Sequence, residues 1–164
     1  MRPTTIGPRR RTSRRVLALA AVLTVVSSAA TAAAAGPSHR TRVNTFMFAA
    51  QVGSTSSGGS VYAGALVDPK LGHGAVVFST TGTNTVRVIF HEYFTLGSIN
   101  GSGHIKLVPG TSGQATLTGS LKISAGTAKY DHAKGKLAVT GTIDSAGMVQ
   151  ATVNGSVAYR TEKP

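Results

Sequence analysis

The chain has 164 residues, no cysteine and no tryptophan, and its Lys and Arg outnumber its Asp and Glu 17 to 5. One domain is expected at this length, with enough residues to bury a core unaided. The lack of cysteine excludes disulfides, thiolate zinc sites and cysteine nucleophiles, and only five acids and five histidines remain for any conventional hydrolase or metalloenzyme.

The first 35 residues read as an address. Arg9, Arg10, Arg11, Arg14 and Arg15 precede an apolar run over 16–26 that only Thr24 interrupts, and small residues follow as far as Gly36. A basic head, a short apolar stretch and an Ala33-Ala34-Ala35 exit are the parts of a secretory signal. The run is shorter than the roughly 18 residues of a membrane span. The expectation is an N-terminal signal-peptide helix over 1–35, cleaved after Ala35. The destination would be extracellular or the cell envelope, with no stable membrane span after cleavage. Ser13-Arg14-Arg15-Val16-Leu17 resembles a twin-arginine export motif; an uncleaved anchor helix is the alternative. Six of the basic residues and none of the acids lie in this leader, so the remainder carries a net charge of +6. Such a surface attracts anionic polymers or cell-wall material. With no Lys/Arg run and no nucleic-acid-reading motif, nucleic acid is not an expected partner.

After a flexible lead-in over 36–44, short β-branched runs alternate with Gly, Ser, Thr and Asn clusters, and no 3.6-residue stripe appears. The pattern predicts an all-β domain over 45–161, a small closed eight-stranded antiparallel barrel. Its strands fall at 45–52, 60–67, 74–80, 85–94, 98–108, 114–124, 135–143 and 148–160. The breakers, such as Asp68-Pro69 and Asp144-Ser-Ala-Gly147, hold residues that turns require. Period-two alternation groups Phe46, Phe48, Ala50 and Val52 on one face of the first strand. It groups Val86, Val88, Phe90 and Phe94 on one face of the fourth. Gly recurs inside the later strands, in Asn100-Gly-Ser102, Thr118-Gly-Ser120, Thr140-Gly-Thr142 and Asn154-Gly-Ser156. These glycines permit the bends that barrel closure requires; the Asn-Gly pairs also read as hairpin turns.

Ile123-x-x-Gly126-Thr127-x-x-Tyr130-x-x-Ala133-x-Gly135 resembles the signature of the allene oxide cyclase and dirigent barrel superfamily. Ala125 and Ala128 stand where that pattern has glycine. The specific match covers about 13 residues, with Gly126, Thr127, Tyr130, Ala133 and Gly135 in structural roles. The resemblance implies an eight-stranded barrel around a ligand cavity, in a secreted bacterial member of the superfamily. Its plant members steer the cyclisation of an epoxide or orient radicals for coupling without a cofactor, and they often form trimers. A lipocalin-like or other up-and-down barrel is the rival fold.

His91-Glu92-Tyr93 is the richest polar cluster, and Arg87 shares its strand. Alternation sets Arg87, His91 and Tyr93 on one face and Glu92 with Phe90 and Phe94 on the other. With the phenylalanines inward, Glu92 is an acid in an apolar pocket, with a raised pKa suited to acid–base work. With the other face inward, Arg87, His91 and Tyr93 become the polar set. Glu92, His91 and Tyr93 are therefore the candidate catalytic residues, and Phe46, Phe48, Arg87, Phe90 and Phe94 the candidate pocket. No histidine pair has zinc-ligand spacing, so no metal and no cofactor is expected. The histidines read as exposed. Asp68 and Asp144 read as turn formers, and Asp131 as bonded to backbone or Lys129. Neither a nucleophile elbow nor a P-loop is present. Two functions follow. One is a secreted barrel that binds a small apolar or aromatic molecule and orients its cyclisation or coupling. The other is a non-enzymatic cell-envelope module with a filled barrel that acts through its surface.

Overall fold

Each run of alternating burial ends at a residue that bends the chain, and the runs become strands. The computed structural model describes residues 38–110 and 113–160; the expected leader helix lies outside them. The strands are β1 (Ser38–Ser54), β2 (Ser60–Asp68), β3 (Gly72–Thr81), β4 (Thr85–Phe94), β5 (Gly97–Pro109), β6 (Ala115–Gly126), β7 (Lys134–Ile143) and β8 (Met148–Arg160). Each pairs antiparallel with its neighbour in sequence, and β1 pairs with β8 to close an eight-stranded barrel. No α-helix occurs among the described residues; one 3₁₀ turn, Ala128–Tyr130, sits between β6 and β7.

The lead-in reading of 36–44 is corrected over its described part, 38–44. β1 begins at Ser38 because Ser38 to Asn44 pair residue for residue with Arg160 to Asn154 of β8. Their outward residues are polar, and so gave no apolar alternation from which to read a strand. The Asn-Gly pairs are not hairpin turns either. Asn154 and Gly155 lie inside β8, and Asn100 and Gly101 lie at an irregularity inside β5. The strand glycines serve close approach: a Cβ on Gly64 would stand 2.0 Å from the Phe48 carbonyl oxygen.

The lumen is a packed core. β4 alternates without a break, with Val86, Val88, Phe90, Glu92 and Phe94 inward and Thr85, Arg87, Ile89, His91 and Tyr93 outward. Leu66, Val76, Ile99, Ile123, Val139, Val153 and Val157 fill the interior. β1 contradicts its expected face. Val43, Thr45, Met47 and Ala49 point inward, and Phe46 and Phe48 lie outside, 51% and 42% exposed. The cause is register and room. Ala49 stands directly opposite Gly64, and a Cβ on that glycine would meet the Ala49 Cβ at 2.8 Å, so the inward row is tight at this point. Both faces of this strand are apolar, and alternation alone could not choose between them.

Candidate functional site

Two regions concentrate chemistry: one end of the lumen, and the outer face across β6, β7, β8 and the first half of β1.

At the lumenal end, the signature segment forms a plug. The Thr127 N–H donates to the Ser98 carbonyl at 2.9 Å, and Thr127 Oγ1 lies 2.8 Å from Ser98 Oγ. These bonds hold the 3₁₀ turn across the barrel mouth. Tyr130 is fully buried, edge-on to Phe94 and Tyr159, and its hydroxyl donates to the Leu71 carbonyl at 3.4 Å. Desolvation raises the Tyr130 pKa, with Tyr159 and Asp68 adding to the rise. Gly126 has no room for a side chain, since a Cβ would sit 2.2 Å from the Tyr130 carbonyl oxygen. Ala128, where the superfamily pattern has glycine, holds φ +51°.

Asp68 closes the same end. It is buried and accepts four hydrogen bonds: from the N–H groups of Asn44 (2.9 Å), Lys70 (2.7 Å) and Leu71 (2.9 Å), and from the Thr45 hydroxyl (2.9 Å). The Asp-Pro pair thus does more than form a turn: it ties β1 to the β2–β3 connection. Sequence reasoning missed the tie because its partners are mostly backbone N–H groups.

Glu92 projects into this core, 5% exposed. Its carboxyl titrates at about 7 instead of 4.5, chiefly because burial penalises the charged form, with the Asp68 carboxylate raising it further. Phe90 and Phe94 share its face. His91 and Tyr93, the other two candidate catalytic residues, are outside with their rings stacked on each other, and Arg87 is outside as well. The expected catalytic trio therefore does not converge. Adjacent strand residues face opposite ways, so a contiguous tripeptide splits between core and solvent. Of the candidate pocket, Phe90 and Phe94 line the lumen, whereas Phe46, Phe48 and Arg87 do not.

A cavity of about 60 Å³ lies toward the opposite end of the barrel, lined by residues that include Met47, Tyr62, Phe78, Val86 and Ile105. Glu92 is not among its lining residues. Small-molecule sites commonly occupy roughly 300–1,000 Å³, so this space suits water-sized occupants.

The outer face differs in kind. Lys122 pairs directly with Lys136, which is followed across β8 by Ser156 and then Arg42 on β1. One step along the strands, Lys134, Ala158 and Arg40 make a parallel row. Arg40 donates to Ser156 Oγ at 3.2 Å, and Arg40, Arg42, Lys136 and Ser156 line a shallow open hollow. None of these cations has a carboxylate partner: the one ion pair among the described residues joins His132 to Asp131. Asp131, expected to bond backbone or Lys129, places its carboxylate on the neighbouring His132 ring instead. Asp68 and Glu92 are buried, and Asp144 accepts from the N–H groups of Ala146 and Met148 in its own turn. The basic cluster was invisible as a run because its members come from three strands and meet only through pairing.

No group of three or more His, Asp or Glu side chains among the described residues is placed to hold a metal ion. No protein-family model, curated protein or solved structure matches the chain.

Proposed function

We propose that this barrel is an exported, non-enzymatic module that holds an anionic polymer of the cell envelope on the outer face of β6, β7, β8 and the first half of β1. The observation that carries the reading is the direct cross-strand pairing of Lys122 with Lys136, extended by Arg42, Arg40 and Lys134. Like charges directly opposite each other destabilise a sheet, and no carboxylate among the described residues offsets these. An arrangement that costs the fold stability is explained by a multivalent anion laid across it. Each neutralised anionic group releases counterions in a polyelectrolyte, so binding falls steeply with salt.

The test is binding of the purified chain to long-chain inorganic polyphosphate, to polyglutamate and to a neutral dextran, by fluorescence anisotropy over a range of salt. Polyanion binding that weakens with salt and drops at least tenfold in Lys122→Gln/Lys136→Gln is expected. Equal binding to dextran, or an unaffected double variant, would reject the reading.

A second reading is favoured by Glu92, a buried acid whose pKa of about 7 suits proton transfer. In it the barrel binds a small apolar or aromatic molecule and orients its cyclisation or coupling without a cofactor, as the superfamily resemblance implies. It requires the packed lumen to widen beside Glu92. Native mass spectrometry of protein taken from culture medium tests it: a co-purified small molecule supports it, and the bare protein mass counts against it.

A further inference from the structure

The basic rows are the middle of a longer track. Four shallow hollows lie end to end on the outside of the barrel, and each shares a cation with the next. Lys122 and Lys136 border the first, with Ser102 and His104. The same two lysines border the second, with Lys134 and Arg40. Arg40 and Lys136 continue into the third, where Arg42 joins them over Ser156. Arg42 continues into the fourth, which Asn44, Asn154 and Lys70 complete. Among the described residues, no carboxylate lines any of the four.

Strand pairing lays the track out. Ser102, Lys122, Lys136, Ser156 and Arg42 form one row of paired residues across β5, β6, β7, β8 and β1. The two serines leave room, and the long cations beside them wall it. Asp68 brings Lys70 to the end of the row. Its carboxylate accepts from the Lys70 N–H at 2.7 Å and from the Asn44 N–H at 2.9 Å, and so holds the β2–β3 turn against β1. From β6 to β1 the adjacent row on one side, Ser120, Ala138, Asn154 and Asn44, carries no charge, so the track is narrow. Four strand spacings of about 4.8 Å make it on the order of 20 Å long, before Lys70 is added.

We infer, resting on the polymer reading above, that this track seats a single flexible, unbranched polyanion that wraps around the barrel from His104 to Lys70, and that Lys70 is one of its contacts. The shape of the track selects this occupant. Its row spans five of the eight strands, more than half the girth of the closed barrel. A flat anionic surface meets a convex wall along one narrow band and cannot reach both ends of such an arc. A compact anion fills one hollow and leaves the other cations unpaired. A flexible chain follows the whole arc and engages the hollows together, each contact raising the effective concentration for the next.

Binding of long-chain polyphosphate to the full chain tests it, by fluorescence anisotropy over a range of salt, in Lys70→Gln and in Lys129→Gln. Lys129 is an exposed lysine of the 3₁₀ turn that borders none of the four hollows. Lys70→Gln is expected to weaken binding about threefold or more and to lower the salt slope by roughly one unit. Lys129→Gln should change neither, and circular dichroism should show both variants folded. Three results would overturn the inference. Binding lost in Lys122→Gln/Lys136→Gln but intact in Lys70→Gln would leave the polymer reading standing with a shorter site. Equal losses in Lys70→Gln and Lys129→Gln would mean diffuse charge instead of a track. Pelleting with phosphatidylglycerol vesicles that survives competition by excess polyphosphate would assign the cations to a flat membrane surface. A wild type that binds no polyanion at all would remove the inference and the polymer reading together.

Discussion

Glu92 makes the stability of this barrel depend on pH in a direction opposite to that of an ordinary paired carboxylate. Its folded-state pKa of about 7 lies above the ordinary 4.5. Between those values the native chain holds a proton that the unfolded chain has released. Stability therefore falls as pH rises across that window and levels off above about 7. At about 1.4 kcal/mol per pKa unit the loss is on the order of 3 kcal/mol. Thermal midpoints at pH 4 and pH 8 check this: the drop attributable to Glu92 should shrink by several degrees in Glu92→Gln. An equal drop in both proteins would mean that another group sets the slope. Ala128 supplies a second residue-scale test. Its φ of +51° is a conformation in which a Cβ costs about 1 kcal/mol and glycine costs little. Ala128→Gly is expected to stabilise the protein by roughly 0.5–1 kcal/mol, read from urea midpoints at unchanged slope.

At the level of elements, the 3₁₀ plug and its neighbouring strands explain which parts of the signature are structural. Gly126 is needed for space, not for a positive φ, since the Tyr130 carbonyl oxygen and the Ala133 Cβ occupy the place a side chain would take. Gly126→Val should therefore lower the thermal midpoint sharply, by more than 10 °C, and loosen the near-ultraviolet signal of Tyr130. An unchanged midpoint would mean that the plug contributes little to the fold. Strands β4 and β8 were legible from sequence to the residue; each begins directly after a glycine-containing turn, Thr81-Gly82-Thr83-Asn84 or Asp144-Ser-Ala-Gly147. The first half of β1 was not, because a strand whose outward residues are Arg40, Arg42 and Asn44 shows no apolar stripe until its partner is known. The outward placement of Phe46 and Phe48 was hidden for the complementary reason: both faces of that stretch are apolar. For the candidate site, alternation grouped Glu92 with Phe90 and Phe94 but left open which face of the strand was inward; the buried residues of β4 put that group in the lumen. The basic rows required strand register, which no local pattern encodes.

Across the whole molecule, charge and apolarity are sorted by strand. β1 to β4 carry the outward aromatic and aliphatic side chains, and β6, β7 and the Arg40–Arg42 end of β1 carry the cations. Five cations, Arg40, Arg42, Lys122, Lys134 and Lys136, thus share one face, which strengthens the local field there. Closure matters as much as sorting. The β1–β8 ladder leaves no strand edge open for addition of a foreign strand.

That ladder also sets Ser38 beside Arg160, so the two ends of the described chain leave the barrel together. Topologically the protein is a necklace with its clasp between β8 and β1, and the position of the clasp is arbitrary. A circular permutant that joins 160 to 38 through a short Gly/Ser linker and opens at the Gly82-Thr83-Asn84 turn keeps every strand next to its present neighbours. It should melt cooperatively, within about 10 °C of the parent, and a broad, non-cooperative transition would show that the clasp has to be made last. Any cargo attached at the new ends would then emerge from the opposite rim, so the same barrel could present a fused domain from either mouth.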